Sequence, residues 1–363
     1  MQLSEMRDIS TFDVIKEMGI GINLGNTFES VAGWIDKWGP HTPNSYETAW
    51  GSPTVTQDII KGYAKEGFGV LRIPVAWSNL MSTDGKYIIS SDYITRIKEV
   101  INWTLEENMY VIMNLHWDGG WLKYLPTNYA GCMNKYTVVW TQLCKAFGSY
   151  GDRLVFESQN EELGWQNVWN HWKGTDGKKK AYDYCNKVNQ KFVDIVRDSG
   201  GNNEKRHLLI SGYYTDLQMT CDPMFRMPED PENKCAVSVH YYVPSTFAII
   251  ENDASWGKSA YTWGTEEEIS TLCRNMDKLK SAFADKGIPV IIGEYGCPKN
   301  NKEPESVRRF ITSVCEEALK RGGICPILWD TPQLHYDRYS NKMSDILLKN
   351  RMSVIRDRYL SQA

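Results

Sequence analysis

Short apolar runs alternate with longer segments of helical period along the chain. Eight runs, at 20–24, 70–74, 110–115, 154–158, 207–211, 236–240, 289–293 and 324–329, have the length and composition of buried strands. Between them, Tyr93, Ile97, Val100, Ile101 and Leu105 follow Asp92 at helical spacing. Val307, Phe310, Ile311, Val314 and Ala318 precede Gly322 and Gly323, where a helix should stop. Further helices are predicted near 54–66, 137–150, 178–198, 266–286 and 342–359, whereas 212–234 carries little helical pattern. Strands alternating with helices argue a parallel sheet covered by helices, and eight of them suggest an α/β fold of the (β/α)8 TIM-barrel type. An open doubly wound sheet is the alternative, but no Gly-rich phosphate loop follows the first strand. No Pro/Ser-rich linker or low-complexity block interrupts the order, so residues 1–363 are expected to form a single domain.

The strand ends are polar or aromatic: Asn26 after the first, Arg72 in the second, His116 and Trp117 after the third, Asn160 and Glu161 after the fourth. The pattern continues with His240, Tyr241 and Tyr242 at the sixth, Glu294 and Tyr295 at the seventh, and Trp329 and Asp330 at the eighth. In a barrel these ends converge on one face. Singly, each has a plain structural reading: Glu294 as an ion-pair partner, His116 as a satisfied core histidine, Trp329 as packing. Buried charges are costly unless paired, so several together are better explained as the lining of a shared cleft.

Composition narrows the chemistry. The net charge is −4, with acidic and basic residues dispersed, so no basic stripe is available for nucleic acid or anionic lipid. No run of 18 apolar residues exists, and the segment Met1–Ser10 lacks the apolar core of a signal peptide. Nine Cys show no CxxC pair or Cys/His cluster, which argues against a zinc site, and their spacing assigns no disulfides. Fourteen Trp and twenty Tyr exceed what core packing usually needs, and exposed rings suit stacking on sugars. Two carboxylates then suggest roles. Glycoside hydrolysis uses one carboxyl to protonate the leaving oxygen and another to attack the anomeric carbon or activate water. Glu161 and Glu294, from the fourth and seventh strands, can face each other across a barrel mouth.

On these residues the chain resembles glycoside hydrolase family 5, the cellulase family, from the segment Gly19-Ile20-Gly21-Ile22-Asn23-Leu24-Gly25-Asn26-Thr27 to Trp329. That opening segment, with Glu47-Thr48-Ala49-Trp50-Gly51, resembles the endoglucanase, lichenase and xyloglucanase branch called subfamily 4. The resemblance implies Glu161 as general acid/base and Glu294 as nucleophile, the latter kept ionised by Arg72 and Tyr242. It implies that Asn160 binds the sugar 2-hydroxyl, that His116 and His240 bind hydroxyls or orient the carboxylates, that Trp329 underlies the reacting sugar, and that Asn26 contacts it. Candidate subsite aromatics are Trp34, Trp50, Trp117 and Trp165, with Trp38, Trp77, Trp121, Trp169 and Trp172 also in segments expected at the upper face. No metal or organic cofactor is implied.

The family usually has Pro after the acid/base, where this chain has Glu162. Adjacent residues of an extended strand point apart, so Glu162 is expected to act little on Glu161. The implied activity is a retaining endo-β-1,4-glucanase on cellulose, mixed-linkage β-glucan or xyloglucan, with a β-mannanase, a non-catalytic carbohydrate-binding barrel and a metal-dependent hydrolase as alternatives. A polymeric substrate that cannot cross membranes implies an extracellular protein. A monomer is expected.

Overall fold

The computed structural model describes residues 3–163 and 168–360. Eight strands close a parallel barrel: β1 (Gly21–Asn23), β2 (Val70–Ile73), β3 (Tyr110–Met113), β4 (Leu154–Glu157), β5 (Leu208–Asp216), β6 (Cys235–Tyr241), β7 (Val290–Tyr295) and β8 (Ile324–Leu328). Each of the eight predicted runs falls on one of them. β1 pairs with both β2 and β8, and this closure excludes the open doubly wound sheet.

The main helices are α1 (Thr11–Met18), α2 (Gln57–Lys65), α3 (Ser91–Glu106), α4 (Tyr129–Phe147), α5 (Lys178–Asp198), α6 (Glu266–Ala282), α7 (Pro304–Arg321) and α8 (Ile346–Leu360). α4 starts earlier than the periodicity indicates, because the Asn128 side chain caps it by accepting from the Gly131 N–H at 3.1 Å. α6 starts where predicted, on a capping box formed by Thr265 and Glu268. The weakly patterned stretch 212–234 holds an extension of β5 and one helical turn, Leu217–Thr220.

Strand alternation sorts the side chains into two cores. Inward-facing Tyr110, Ile112, Val155, Leu209, Ala236, Ile291, Cys325 and Ile327 fill the lower barrel, and α1 closes it from beneath with Val14, Ile15 and Met18. Outward-facing Leu71, Val111, Phe156, Val237, Val239 and Ile292 pack under the surrounding helices. All nine cysteines are free thiols. No described helix is long and apolar enough to cross a membrane.

Candidate active site

Above the apolar layer the inward positions turn polar, and Arg72 organises them. Its guanidinium is fully buried, and Nε donates to Glu157 Oε2 at 2.8 Å. Nη1 donates to Glu294 Oε1 at 2.8 Å and to Asn23 Oδ1 at 3.0 Å, and Nη2 donates to Asn160 Oδ1 at 2.9 Å. Burial opposes this charge, but Glu157 and Glu294 outweigh it and hold the Arg72 pKa above its usual value. Ser238 Oγ satisfies the other Glu157 oxygen at 2.8 Å.

Glu294 reaches the cleft because β7 is irregular. Val239 pairs with Ile292, but the next residue, His240, pairs with Glu294. On the other side Ile292 pairs with Pro326 and Tyr295 with Leu328. Gly293 is therefore an extra residue relative to both neighbours, a β-bulge. Without it, alternation from inward Ile291 would turn Glu294 outward. With it, Glu294 faces in and Tyr295 packs in the outer core. A Cβ on Gly293 would lie 3.1 Å from Ser238 Oγ and 3.3 Å from His240 Nε2, so glycine also leaves room for the imidazole.

Glu161 lies past the end of β4. Its Oε1 is 2.6 Å from His240 Nδ1, which stands 3.5 Å from Glu294 Oε2. Tyr242 donates its hydroxyl to Glu294 Oε2 at 3.1 Å. One oxygen from each glutamate and the imidazole nitrogen all lie within 4.8 Å of one another. The two carboxyls differ in setting: the Glu161 side chain is 35% exposed and that of Glu294 is 7% exposed. Burial pushes the Glu294 carboxyl up; His240 and Arg72 pull it down, and Glu161 adds to the rise. The depression expected from Arg72 is present but outweighed by burial. Two carboxylates and a histidine are also metal-type donors. A cation there would have to compete with Arg72 for the Glu294 carboxylate.

The remaining expected residues divide. His116 stacks on Trp329, with ring centroids 6.1 Å apart and planes 13° apart. Burial, then Arg72 and His240, keep its pKa well below the usual value, so the ring is neutral. Asn114 Nδ2 faces His116 Nδ1 at 3.3 Å, which puts the ring proton on Nε2. Trp329 lies against the chain after β1: a Cβ on Gly25 would stand 2.9 Å from its ring and 2.5 Å from the Asp330 carbonyl oxygen. Asn26 is half-buried, in left-handed backbone with φ 55°, and its N–H donates to Glu29. Burial raises the Glu29 carboxyl to about 7.

Three expectations need correction. Asp330 does not line the cleft: it is fully buried, accepting from the His335 and Tyr336 N–H groups at 2.8 and 3.0 Å to fold the chain after β8. Glu162 is not separated from Glu161 by strand alternation, because both lie beyond β4, in a turn closed by the Glu162 N–H on the Asn160 carbonyl. Burial, then Asp118 and Glu161, push the Glu162 carboxyl up to about 7. Trp77 and Trp169 are buried packing residues.

Trp34, Trp38, Trp50, Trp117 and Trp172 are exposed, and Trp50 is fixed by its Nε1–H on the Val31 carbonyl at 2.9 Å. Trp165 lies outside the described residues. Sequence reasoning missed Asn23, Glu157 and Ser238, whose partners are distant in sequence, and Trp256, exposed in the segment after β6. For Gly25 and Gly293 the available signal was a glycine at a strand end, the mark of a close approach or a bulge.

The description "Cellulase (glycosyl hydrolase family 5)" belongs to the family model that matches residues 36–333. Endoglucanase A of Ruminococcus albus is 34% identical over 330 residues, covering 90% of this chain and 85% of that one. A solved broad-specificity endoglucanase of subfamily 4, from an uncultured bovine rumen ciliate, superposes with a TM-score of 0.86 at 32% identity. It covers 98% of this chain and 99% of its own. A Bacteroides ovatus xyloglucanase solved with a XXXG heptasaccharide gives 0.85 at 28% identity, over 96% of this chain and 77% of that one. With a closed barrel and a matching family model over most of its length, the chain belongs to glycoside hydrolase family 5, the cellulase family.

Proposed function

We propose that the protein is a retaining endo-β-1,4-glucanase of subfamily 4, acting on mixed-linkage β-glucan, xyloglucan and cellulose. The observation that carries this is the closeness of Glu161 and Glu294, with oxygens inside 4.8 Å. Retaining enzymes hold their carboxyls about 5 to 5.5 Å apart, whereas an inverting water needs about 6.5 to 9.5 Å. The relatives' names, endoglucanase and xyloglucanase, support the substrate class.

In this reading the Glu294 carboxylate attacks the anomeric carbon while Glu161, the more exposed carboxyl, gives its proton to the departing oxygen. The bond to the leaving chain breaks and a glycosyl ester forms on Glu294. Glu161, now a carboxylate, takes a proton from the water that attacks the same carbon from the vacated face. Two inversions restore the β-configuration. Arg72 and Tyr242 hold Glu294 in place from two sides, and His240 fixes Glu161. Asn160 spends its carbonyl oxygen on Arg72, which leaves its amide N–H groups for the sugar 2-hydroxyl. Trp329 and the exposed tryptophans supply flat surfaces for sugar rings. Residues 1–363 act as one catalytic domain, as a monomer, outside the cell where the polymer is.

Release of reducing ends from mixed-linkage β-glucan tests this directly. Glu294→Gln should lose about 10⁴-fold in kcat while staying folded. Equal rates in the two proteins would remove Glu294 from the chemistry, and faster release from mannan than from any glucan would replace the substrate.

A further inference from the structure

Between β4 and β6 the barrel wall is irregular. Ser211 of β5 pairs with Ser238 and Asp216 pairs with His240, so five steps along β5 cover what two steps cover along β6. The excess chain forms a large bulge level with His240, the residue that touches Glu161. Inside it, Tyr214 and Thr215 are both left-handed, with φ of 55° and 48°. Two consecutive non-glycine residues in this region, one of them β-branched, are strained, and such strain persists where the surrounding structure imposes it, most often at functional sites.

What imposes it is on both sides. Tyr213 is buried and points away from the barrel axis. Its hydroxyl is 2.7 Å from the Leu163 carbonyl and 2.8 Å from the Trp169 carbonyl, so it holds these two residues beside β5. Thr215 Oγ1 donates to the Tyr214 carbonyl at 2.7 Å and holds the left-handed turn. Asp216 then caps Leu217–Thr220 by accepting from the Met219 N–H at 2.8 Å. With its neighbours committed to loop and cap, Tyr214 is left half-buried, its ring packed against the core. Burial, then the charges of Glu161 and Asp216, hold its hydroxyl above the ordinary tyrosine range.

We propose that Tyr214 is a specificity residue on the leaving-group side of the cleft, its hydroxyl binding a hydroxyl of the hexose that departs with the proton from Glu161. This rests on the glucanase reading above, because the leaving side is defined by the acid role of Glu161. The substrate contrast follows from chemistry. A cello-oligosaccharide places a hydroxyl-bearing sugar in that position, whereas an aryl cellobioside places a ring without sugar hydroxyls there, so loss of the tyrosine oxygen should be felt only by the former.

The test compares kcat/KM for cellotetraose and for 4-nitrophenyl β-cellobioside in the wild type and in Tyr214→Phe, which keeps the ring and the backbone. The ratio of the two values should fall about fivefold to tenfold. Tyr214→Asn, suited to left-handed backbone, should lower the ratio at least as much. Equal losses on both substrates would mean that Tyr214 acts on Glu161 or on the fold, and an unchanged ratio would mean that it touches no leaving sugar. Either result overturns the assignment. A wild-type protein inactive on both substrates would overturn the glucanase reading, and this inference with it.

Discussion

Two fully buried arginines show how differently the ends of the barrel are built. At the base, Arg206 donates to neutral oxygens: Asn203 Oδ1 at 2.7 Å, and the carbonyls of Leu154, Tyr150 and Gly151 at 2.7, 2.8 and 3.1 Å. Burial lowers its pKa to about 9. At the mouth, Arg72 is shared between two carboxylates and its pKa rises. The same side chain is a staple for loop carbonyls at one end and a counter-charge for reacting groups at the other. Backbone strain follows the same division. Among the described residues, left-handed non-glycine positions at the base are Asn108 and Asn233, a residue type that tolerates this region. The mouth has Asn26 in this region too, but also forces Trp117, Leu163, Tyr214 and Thr215 into it. Stability is served below and chemistry above, as expected of this fold.

The sharpest way to break the comparison is to remove each arginine in turn. Arg72→Met strands Glu157 and Glu294, and should abolish activity while costing about 3 to 5 kcal/mol of stability. Arg206→Met should cost about 3 kcal/mol by leaving several buried carbonyls unpaired, yet keep kcat per folded molecule near the wild type. Denaturant melts alongside active-site-titrated rates check both. An Arg206 variant that stays stable but loses turnover would erase the distinction between base and mouth.

A smaller change sharpens it. Gly293→Ala keeps every charged group but presses on Ser238 and His240 at the bulge that turns Glu294 inward. A displacement of about 1 Å there should lower kcat about 100-fold. The melting midpoint should move far less than in the arginine variants, and a rate within twofold of wild type would show that the bulge does not set the geometry.

Eight strands, most helices and the polar strand ends were legible in the sequence, because burial and periodicity are local signals. The bulges in β5 and β7 were not, since an extra residue in a strand leaves no hydrophobic signature. Glu157 and Asn23 escaped notice because an inward polar residue declares itself only through partners such as Arg72, supplied from another strand. Asp330 misled for the converse reason: a strand-end carboxylate can face a loop as readily as a cleft.

The mildest expected effect is on pH dependence. Glu294 must be ionised to attack, and burial raises its pKa. Activity should therefore fall on the acid side at a pH above the ordinary carboxylate range. Glu157→Gln leaves the Arg72 charge to Glu294 alone, which should lower that pKa and carry the acid limb of kcat/KM to lower pH. A limb that stays in place would mean that sharing Arg72 with Glu157 has no influence on Glu294.

The role of the two glutamates is tested most directly by proton NMR of the first products from cellotetraose, recorded before the anomers equilibrate. Double displacement through Glu294 requires the new reducing ends to emerge as the β-anomer. Initial release of the α-anomer would contradict it and assign the pair to a single displacement by water.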